Sequence, residues 1–367
     1  MKLKKQNVLL FARTMGQGGT ERVVLQLCDI LKPRVNKIVV CSNGGVNVKK
    51  LDNKGIEHYQ IPDITGKNPL DIIQTIAILR KIIKKEKITL IHSHHRMAAF
   101  YSKILTTNHI IKIITAHNIF KDKIRLTRWA YKSTNIIAVG NEVKKNLTTI
   151  FKLNSNKIKV VYNAVKPFKK ESEKLDIFES NNLSGKIIIG NIGRLSRQKG
   201  MEYFIRAAVE VHESFPDTFF LIVGTGEDEL KLKVLTKILG AEDFISFVGY
   251  QENVQNIMTQ LNFVVLSSLW EGFPLTPIES FSVSKTVIGT NIAGTDEIIE
   301  NYRNGLLVEP KDYISLAEKM KELINDTELI HTLEKQAFVD FQTKFSFEKY
   351  RKDIIDFYNT MVVKHEK

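Results

Sequence analysis

The sequence predicts an α/β protein of two parallel-sheet domains, and three observations carry that expectation. Short β-branched runs alternate with longer amphipathic stretches along nearly the whole chain, the pattern of strands covered by helices. The alternation breaks once, in a polar stretch at 166–185, and then restarts. At 367 residues the chain exceeds what one hydrophobic core usually spans.

The elements follow in order. In the first half, the segments 7–12, 37–41, 57–60, 89–92, 111–116, 135–139 and 157–161 read as strands, with helices between them, notably at 20–31 and 69–85. The segment 166–185 mixes lysines, acids, Asn and Ser without a sustained period and reads as a linker. Strands resume at 186–191, 218–223, 244–247, 263–266, 286–289 and 305–308. From 315 to 367 the pattern is almost wholly helical, with Phe347, Tyr350, Ile354, Phe357 and Met361 three or four apart, so this tail should lie against another surface. The expected organisation is domain 1–165, linker 166–185, domain 186–345 and a final helix at 346–367.

Composition narrows the class. With 43% hydrophobic and 26% charged residues and only 8 prolines, collagen-like, disulfide-scaffold and wholly disordered chains are excluded. No apolar run approaches the ~20 residues that cross a bilayer. Lysines at 2, 4 and 5 precede an apolar run that stops at Arg13, with no small-residue cleavage site, so no secretion signal is expected. Two cysteines, Cys28 and Cys41, are too few for a disulfide framework and suit a reducing cytoplasm. Residues 1–170 carry 33 basic against 9 acidic side chains, and the remainder 21 against 31. The halves therefore face different partners, unless part of the basic excess is simply solvated surface.

Four clusters carry chemistry. Gly16, Gly18 and Gly19 follow the first strand, and Thr20 and Glu21 open a helix, an arrangement whose free N–H groups and dipole attract an anion. The spacing is neither G-x-G-x-x-G nor a Walker loop, and a purely structural turn would also use glycines. His92, His94, His95 and His117 sit at strand ends, where zinc, a hydrogen-bonding or acid/base role for His117, and simple packing are all open readings. In the second half Gly190 to Gly193 lead into Arg194, and Lys199 comes five residues later beside Gly200, two cations suited to a diphosphate unless both are merely solvated. Finally, Glu271-Gly272-Phe273-Pro274-Leu275 runs on to Glu279, placing two carboxylates eight apart around a Gly-Phe-Pro turn and Pro277. Carboxylates accept hydrogen bonds from vicinal hydroxyls, as in a sugar or ribose.

These residues resemble the retaining nucleotide-sugar glycosyltransferases of family 4, the group 1 transferases, over essentially the whole chain. The matching features are the 18–22 loop, where Thr20 replaces the usual Ala, the His117 strand end, Gly193-Arg194 with Lys199-Gly200, Gly224-Thr225-Gly226 without the proline that often follows, Gly249-Tyr250, and the Glu-x7-Glu frame of Glu271 and Glu279. The resemblance implies the GT-B fold, two Rossmann-like domains facing across a cleft, with the last helix crossing back to the first domain. It implies that Arg194 and Lys199 bind the donor diphosphate, that Glu279 holds the ribose, and that Glu271 with the backbone of Gly272, Phe273, Pro274 and Leu275 holds the donor sugar and phosphate. Gly249 and Tyr250 would lie near the base, His117 beside the transferred sugar, and Gly18 and Gly19 near phosphate or acceptor.

The activity so implied moves a hexose, with retention, from a UDP-sugar to a glycan acceptor, one carried on a polyprenyl diphosphate, in cell-surface polysaccharide assembly. No Asp-x-Asp is present, so no metal and no cofactor are expected. A front-face substitution fits, in which the leaving phosphate helps deprotonate the acceptor. The basic half would bind an anionic membrane surface at the inner face of the cell membrane, with 121–128, Phe100, Tyr101, Trp129 and Tyr131 supplying contacts. A GT-B epimerase and a polyanion or nucleic-acid binder are the alternatives. The second would cluster its cations on one element among stacking aromatics, whereas these lysines are spread over every helix and turn.

Overall fold

The computed structural model describes residues 3–66, 68–105, 109–169 and 183–365, so 170–182 of the expected linker lie outside the described residues. The chain divides into two units, Met1–Asn163 with Tyr350–Lys367, and Ala164–Lys349.

The first unit is a seven-stranded parallel sheet in the order β3-β2-β1-β4-β5-β6-β7. Its strands are β1 (Asn7–Phe11), β2 (Lys37–Ser42), β3 (Glu57–Gln60), β4 (Leu90–Ser93), β5 (Ile111–Ala116), β6 (Asn135–Ala138) and β7 (Ile158–Val160). The central strands β1, β4 and β5 are buried along most of their length because helices cover both faces of such a sheet. The helices are α1 (Gly19–Leu31), α2 (Val48–Asn53), α3 (Pro69–Lys85), α4 (Arg96–Leu105), α5 (Ile124–Tyr131) and α6 (Asn141–Thr149). At α3 the start is signalled by the sequence: the Asn68 side chain accepts from the Leu70 N–H and Pro69 occupies the first turn. Leu9, Phe11, Val39, Ile91, Ala98 and Tyr101 belong to one buried cluster between sheet and helices.

The last helix, α13 (Phe347–His365), belongs to this unit from Tyr350 onward. Its Tyr350, Ile354, Phe357, Tyr358 and Met361 are buried. Tyr358 is fully enclosed, and its hydroxyl lies 2.6 Å from Nδ1 of His92 on β4.

The second unit is a six-stranded parallel sheet in the order β10-β9-β8-β11-β12-β13. Its strands are β8 (Ile187–Ile192), β9 (Thr218–Val223), β10 (Ile245–Gly249), β11 (Phe263–Leu266), β12 (Val287–Thr290) and β13 (Leu306–Val308). Around it lie α7 (Met201–Ser214), α8 (Glu229–Ile238), α9 (Val254–Met258), α10 (Thr276–Phe281), α11 (Tyr313–Asn325) and α12 (Thr327–Lys344). Buried Asp340 on α12 receives a two-pronged Arg303 at 2.6 and 2.9 Å and Asn304 Nδ2 at 2.7 Å, which ties α12 to the turn before β13.

In both sheets the strand order reverses beside the first strand: β1 pairs with β2 and β4, and β8 with β9 and β11. Open α/β sheets bind ligands outside the carboxyl ends of strands at such a reversal. The glycine loop follows β1 and the histidines follow β4, while Arg194 follows β8 and Glu271 follows β11. The connectivity thus gathers distant sequence clusters at one edge of each sheet.

Candidate active site

In the second unit the edge between β8 and β11 is built around one buried ion pair. Lys199 Nζ is 2.6 Å from Glu271 Oε1, and the side chains are only 16% and 8% exposed. Ser268 Oγ donates to the same Glu271 oxygen at 2.8 Å, and Gln198 Nε2 donates to Oε2 at 3.3 Å. Gln198 also donates to the Trp270 carbonyl at 2.9 Å, and its own carbonyl accepts from the Leu269 N–H at 2.7 Å. The loop that carries Glu271 is therefore clamped to the short turn Arg197–Lys199.

Glycines permit this closeness. Gly200 has φ +57, and a Cβ there would lie 2.3 Å from the Ser267 carbonyl oxygen, so only glycine lets the start of α7 meet the β11 end. Gly224, at φ +139, brings its backbone against the Gly193 carbonyl, where a Cβ would sit at 1.9 Å. Lys199 lies across Gly193, whose absent side chain leaves room for its stem.

Arg194 is placed differently from Lys199. Its guanidinium is 69% exposed and pairs with Glu227 at 3.3 Å. Glu279 is buried within α10, with Phe273 and Leu275 buried in the turn before it. Phe273 packs on Phe345 with ring centroids 6.0 Å apart, and the Thr276 hydroxyl donates to the Ile192 carbonyl at 3.3 Å. The Gly272 carbonyl is met by Gly294, which has φ +89. Gly249 ends β10 at φ +72 and its carbonyl accepts from the Gly224 N–H, while the Tyr250 ring beside it is exposed.

In the first unit Gly18 stands at the start of α1 and Gly19 is its first residue. Glu21 of that helix turns back to accept from Thr14 Oγ1 at 2.7 Å. The glycine loop is braced by 43–47: a Cβ on Gly45 would lie 2.4 Å from the Met15 backbone, and the Asn47 side chain donates to the Gly16 carbonyl.

The histidines form a connected group. His92 Nε2 is 2.7 Å from Thr115 Oγ1 and its Nδ1 meets Tyr358, so both ring nitrogens are taken within the protein and neither is left for a metal. His94 Nδ1 is 3.2 Å from His117 Nε2. Burial, with His95 a smaller influence, pushes the His117 imidazole down to about 3, and burial beside His117 does the same for His92. These rings are neutral over the physiological range. His95 stands apart: its Nδ1 accepts from the Met97 N–H at the start of α4.

Gln198 and Ser268 were not expected from the sequence as parts of a site, and His94 was singled out only as a member of the histidine cluster. The first two carry no special chemistry, and their role arises only when a residue near 198 and one near 270 are brought into contact. The aromatic contacts expected of the basic half also need correction. Tyr101 and Tyr131 are buried on the sheet side of their helices, and Phe100 packs on Trp129 at 5.5 Å. Trp129, Ile124 and Leu126 remain exposed on α5 beside Arg125 and Arg128.

Comparison with known proteins bears on both units. Residues 17–167 match the family model described as Glycosyltransferase Family 4, and residues 172–340 match Glycosyl transferases group 1. The chain is 26% identical over 368 residues to the Escherichia coli UDP-Gal:alpha-D-GlcNAc-diphosphoundecaprenol alpha-1,3-galactosyltransferase, covering 94% of each. It is 30% identical over 291 residues to the Methanocaldococcus jannaschii uncharacterized glycosyltransferase MJ1178, covering 76% of this chain and 77% of that one. Among solved structures, Anabaena HepE in complex with UDP-glucose aligns with a TM-score of 0.85 at 19% identity, over 96% of this chain and 99% of the other. Two parallel α/β units of this connectivity are those of the GT-B fold, and the chain belongs to the family 4, group 1 glycosyltransferases.

Proposed function

We propose that the enzyme transfers a hexose from a UDP-sugar, with retention, to a glycan acceptor carried on a polyprenyl diphosphate, in the assembly of a cell-surface polysaccharide. The observation that carries this reading is the clamped Lys199–Glu271 pair beside the Gly193 backbone, a cation and a sugar-binding carboxylate held at the reversal point of the second sheet. In the proposed chemistry Lys199 and Arg194 stabilise the charge that develops on the departing diphosphate, so that no metal is needed. Glu271, with the backbone from Gly272 to Leu275, orients the sugar, Glu279 takes the ribose, and Gly249 and Tyr250 lie at the base. His117 hydrogen-bonds the transferred sugar, with Gly18 and Gly19 near the phosphate or acceptor, and the leaving phosphate accepts the acceptor's proton.

The name of the Escherichia coli relative, with its UDP-Gal donor and diphosphoundecaprenol acceptor, supports the donor and acceptor classes. Among the described residues no helix is long and apolar enough to cross a membrane. An anionic membrane surface is the proposed partner of the first unit, supported by the exposed Ile124, Leu126 and Trp129 among the cations of α5. The enzyme would then work at the cytoplasmic face of the cell membrane.

The test is transfer by the purified chain from a panel of UDP-, GDP- and ADP-sugars to a polyprenyl-diphosphate-linked sugar, with and without EDTA. The expected result is UDP-sugar turnover insensitive to chelation, with an α product from an α donor. Loss of activity in EDTA restored by manganese, or turnover from GDP-sugars alone, would overturn the corresponding part of the reading.

A further inference from the structure

His94 occupies an unusual position. It is 3% exposed, and its Nε2 has no hydrogen-bond partner among the described residues. Its nearest aromatic neighbour, His92 at 4.3 Å between centroids, cannot help, since both nitrogens of that ring are committed to Thr115 and Tyr358. What His94 does contact is His117, through Nδ1 to Nε2 at 3.2 Å.

A single hydrogen joins these two neutral rings, and it can belong to either. If His117 supplied it from Nε2, His94 would carry its own proton on its Nε2, leaving an N–H donor buried without an acceptor. If His94 supplies it from Nδ1, the His94 Nε2 is a bare lone pair. Orphaned buried donors are the rarer and costlier case. The second arrangement is therefore favoured. It leaves His117, which is only partly buried, with its proton on Nδ1.

We propose that His94 is a positioning residue that locks His117 in its Nδ1–H tautomer, so that His117 offers the substrate a fixed, neutral hydrogen-bond donor and not a base. The donor would recognise an oxygen lone pair, on a sugar hydroxyl or a phosphate. That part rests on the proposed placement of His117 at the transferred sugar, whereas the tautomer itself does not. A His117 so arranged leaves deprotonation of the acceptor to the leaving phosphate.

Long-range 15N–1H NMR of the imidazole rings in the full chain tests this, with the His117 signals assigned by their loss in His117→Gln. The wild type should show His117 protonated at Nδ1. His94→Leu should convert it to a mixture or to Nε2–H, and lower kcat by about 10²-fold with little change in donor KM. His94→Asn, whose amide N–H can take the place of the His94 Nδ1–H, should keep the wild-type tautomer and recover most of the rate. This variant guards against His94→Leu simply failing to fold. A wild-type His117 protonated at Nε2, or one whose tautomer is the same in His94→Leu, would overturn the proposal whatever the activity. If the tautomers behave as expected but turnover is indifferent to them, the lock stands and the placement of His117 at the sugar falls.

Discussion

Lys199 and Glu271 are joined at 2.6 Å in a largely dry setting, while Arg194 faces water and pairs with Glu227. Two cations assigned to one leaving group thus have different structural obligations, and their substitutions should separate. Lys199→Ala leaves the Glu271 carboxylate to Ser268 and Gln198 alone and should cost about 2–3 kcal/mol of stability, just below the ~3–5 kcal/mol of breaking a fully buried pair. Arg194→Ala should cost under about 1 kcal/mol, as for an exposed pair. Both should lower kcat/KM by about 10²–10³-fold if they stabilise the diphosphate. Urea unfolding beside steady-state kinetics reads both quantities, and equal destabilisation by the two changes would contradict the geometry.

Glu279 and Glu271 should differ in kind. A ribose contact is the same in ground and transition states, so Glu279→Gln should raise the donor KM and leave kcat nearly unchanged. Glu271→Gln alters the group at the reacting sugar and breaks the pair with Lys199, so it should lower kcat as well. Small, identical effects would place the donor elsewhere.

The first unit should lose stability in mild acid. His92 is fully buried and burial pushes it down to about 3, while His94 is lowered well below the ordinary imidazole value for the same reason. Above pH ~6.5 these rings are neutral folded and unfolded alike. As pH falls below that, the unfolded chain takes up protons that the folded one refuses, and each ring should remove about 1.4 kcal/mol of stability per pH unit. Urea midpoints at pH 7.5, 6.5 and 5.5 should fall only in the last step, a range above most carboxylate titration. A midpoint constant down to pH 5.5 would show that these rings can be protonated in place.

Membrane binding should be salt-sensitive and should depend on α5. The full chain should float with vesicles containing anionic lipid at low salt, but not at ~0.5 M salt, where the Debye length shrinks to a few ångströms. Leu126→Ser with Trp129→Ser should weaken binding, and Arg125→Glu with Arg128→Glu should abolish it, without loss of turnover on a water-soluble acceptor. Equal partitioning to neutral vesicles would point to a soluble acceptor.

Much of the scaffold was legible from local chemistry. The strands β3, β5, β9 and β11 have the limits expected, and polar or turn-forming residues bracket β9 (Asp217, Gly224) and β11 (Asn262, Ser267). Others shift by a residue or two, as where β10 continues to Gly249 beyond Phe247, past a break in register against β9. The candidate site was legible where residue types were out of the ordinary, as with a Lys beside Gly200 or Glu271 followed by Gly-Phe-Pro. It was not legible where function depends on contact alone. Gln198 is unremarkable until the folded chain places it against Glu271, and the histidine cluster does not by itself say that His94 meets His117. The brace at Gly45 was signalled only by the Gly44-Gly45 pair after β2, whose meaning depends on how closely the Met15 backbone approaches.

The seam between Tyr358 and His92 bears on how the protein is made. The first unit needs residues 350–365 to bury its sheet, yet these emerge from the ribosome only after the entire segment Ala164–Lys349. At about 5–20 residues per second that interval is roughly ten to forty seconds. Throughout it the nascent first unit lacks the Tyr358 partner of His92, and the second unit has its whole sequence once Lys349 has been added, before residues 350–365 follow. Synthesis therefore completes the sequence of the second unit before that of the first.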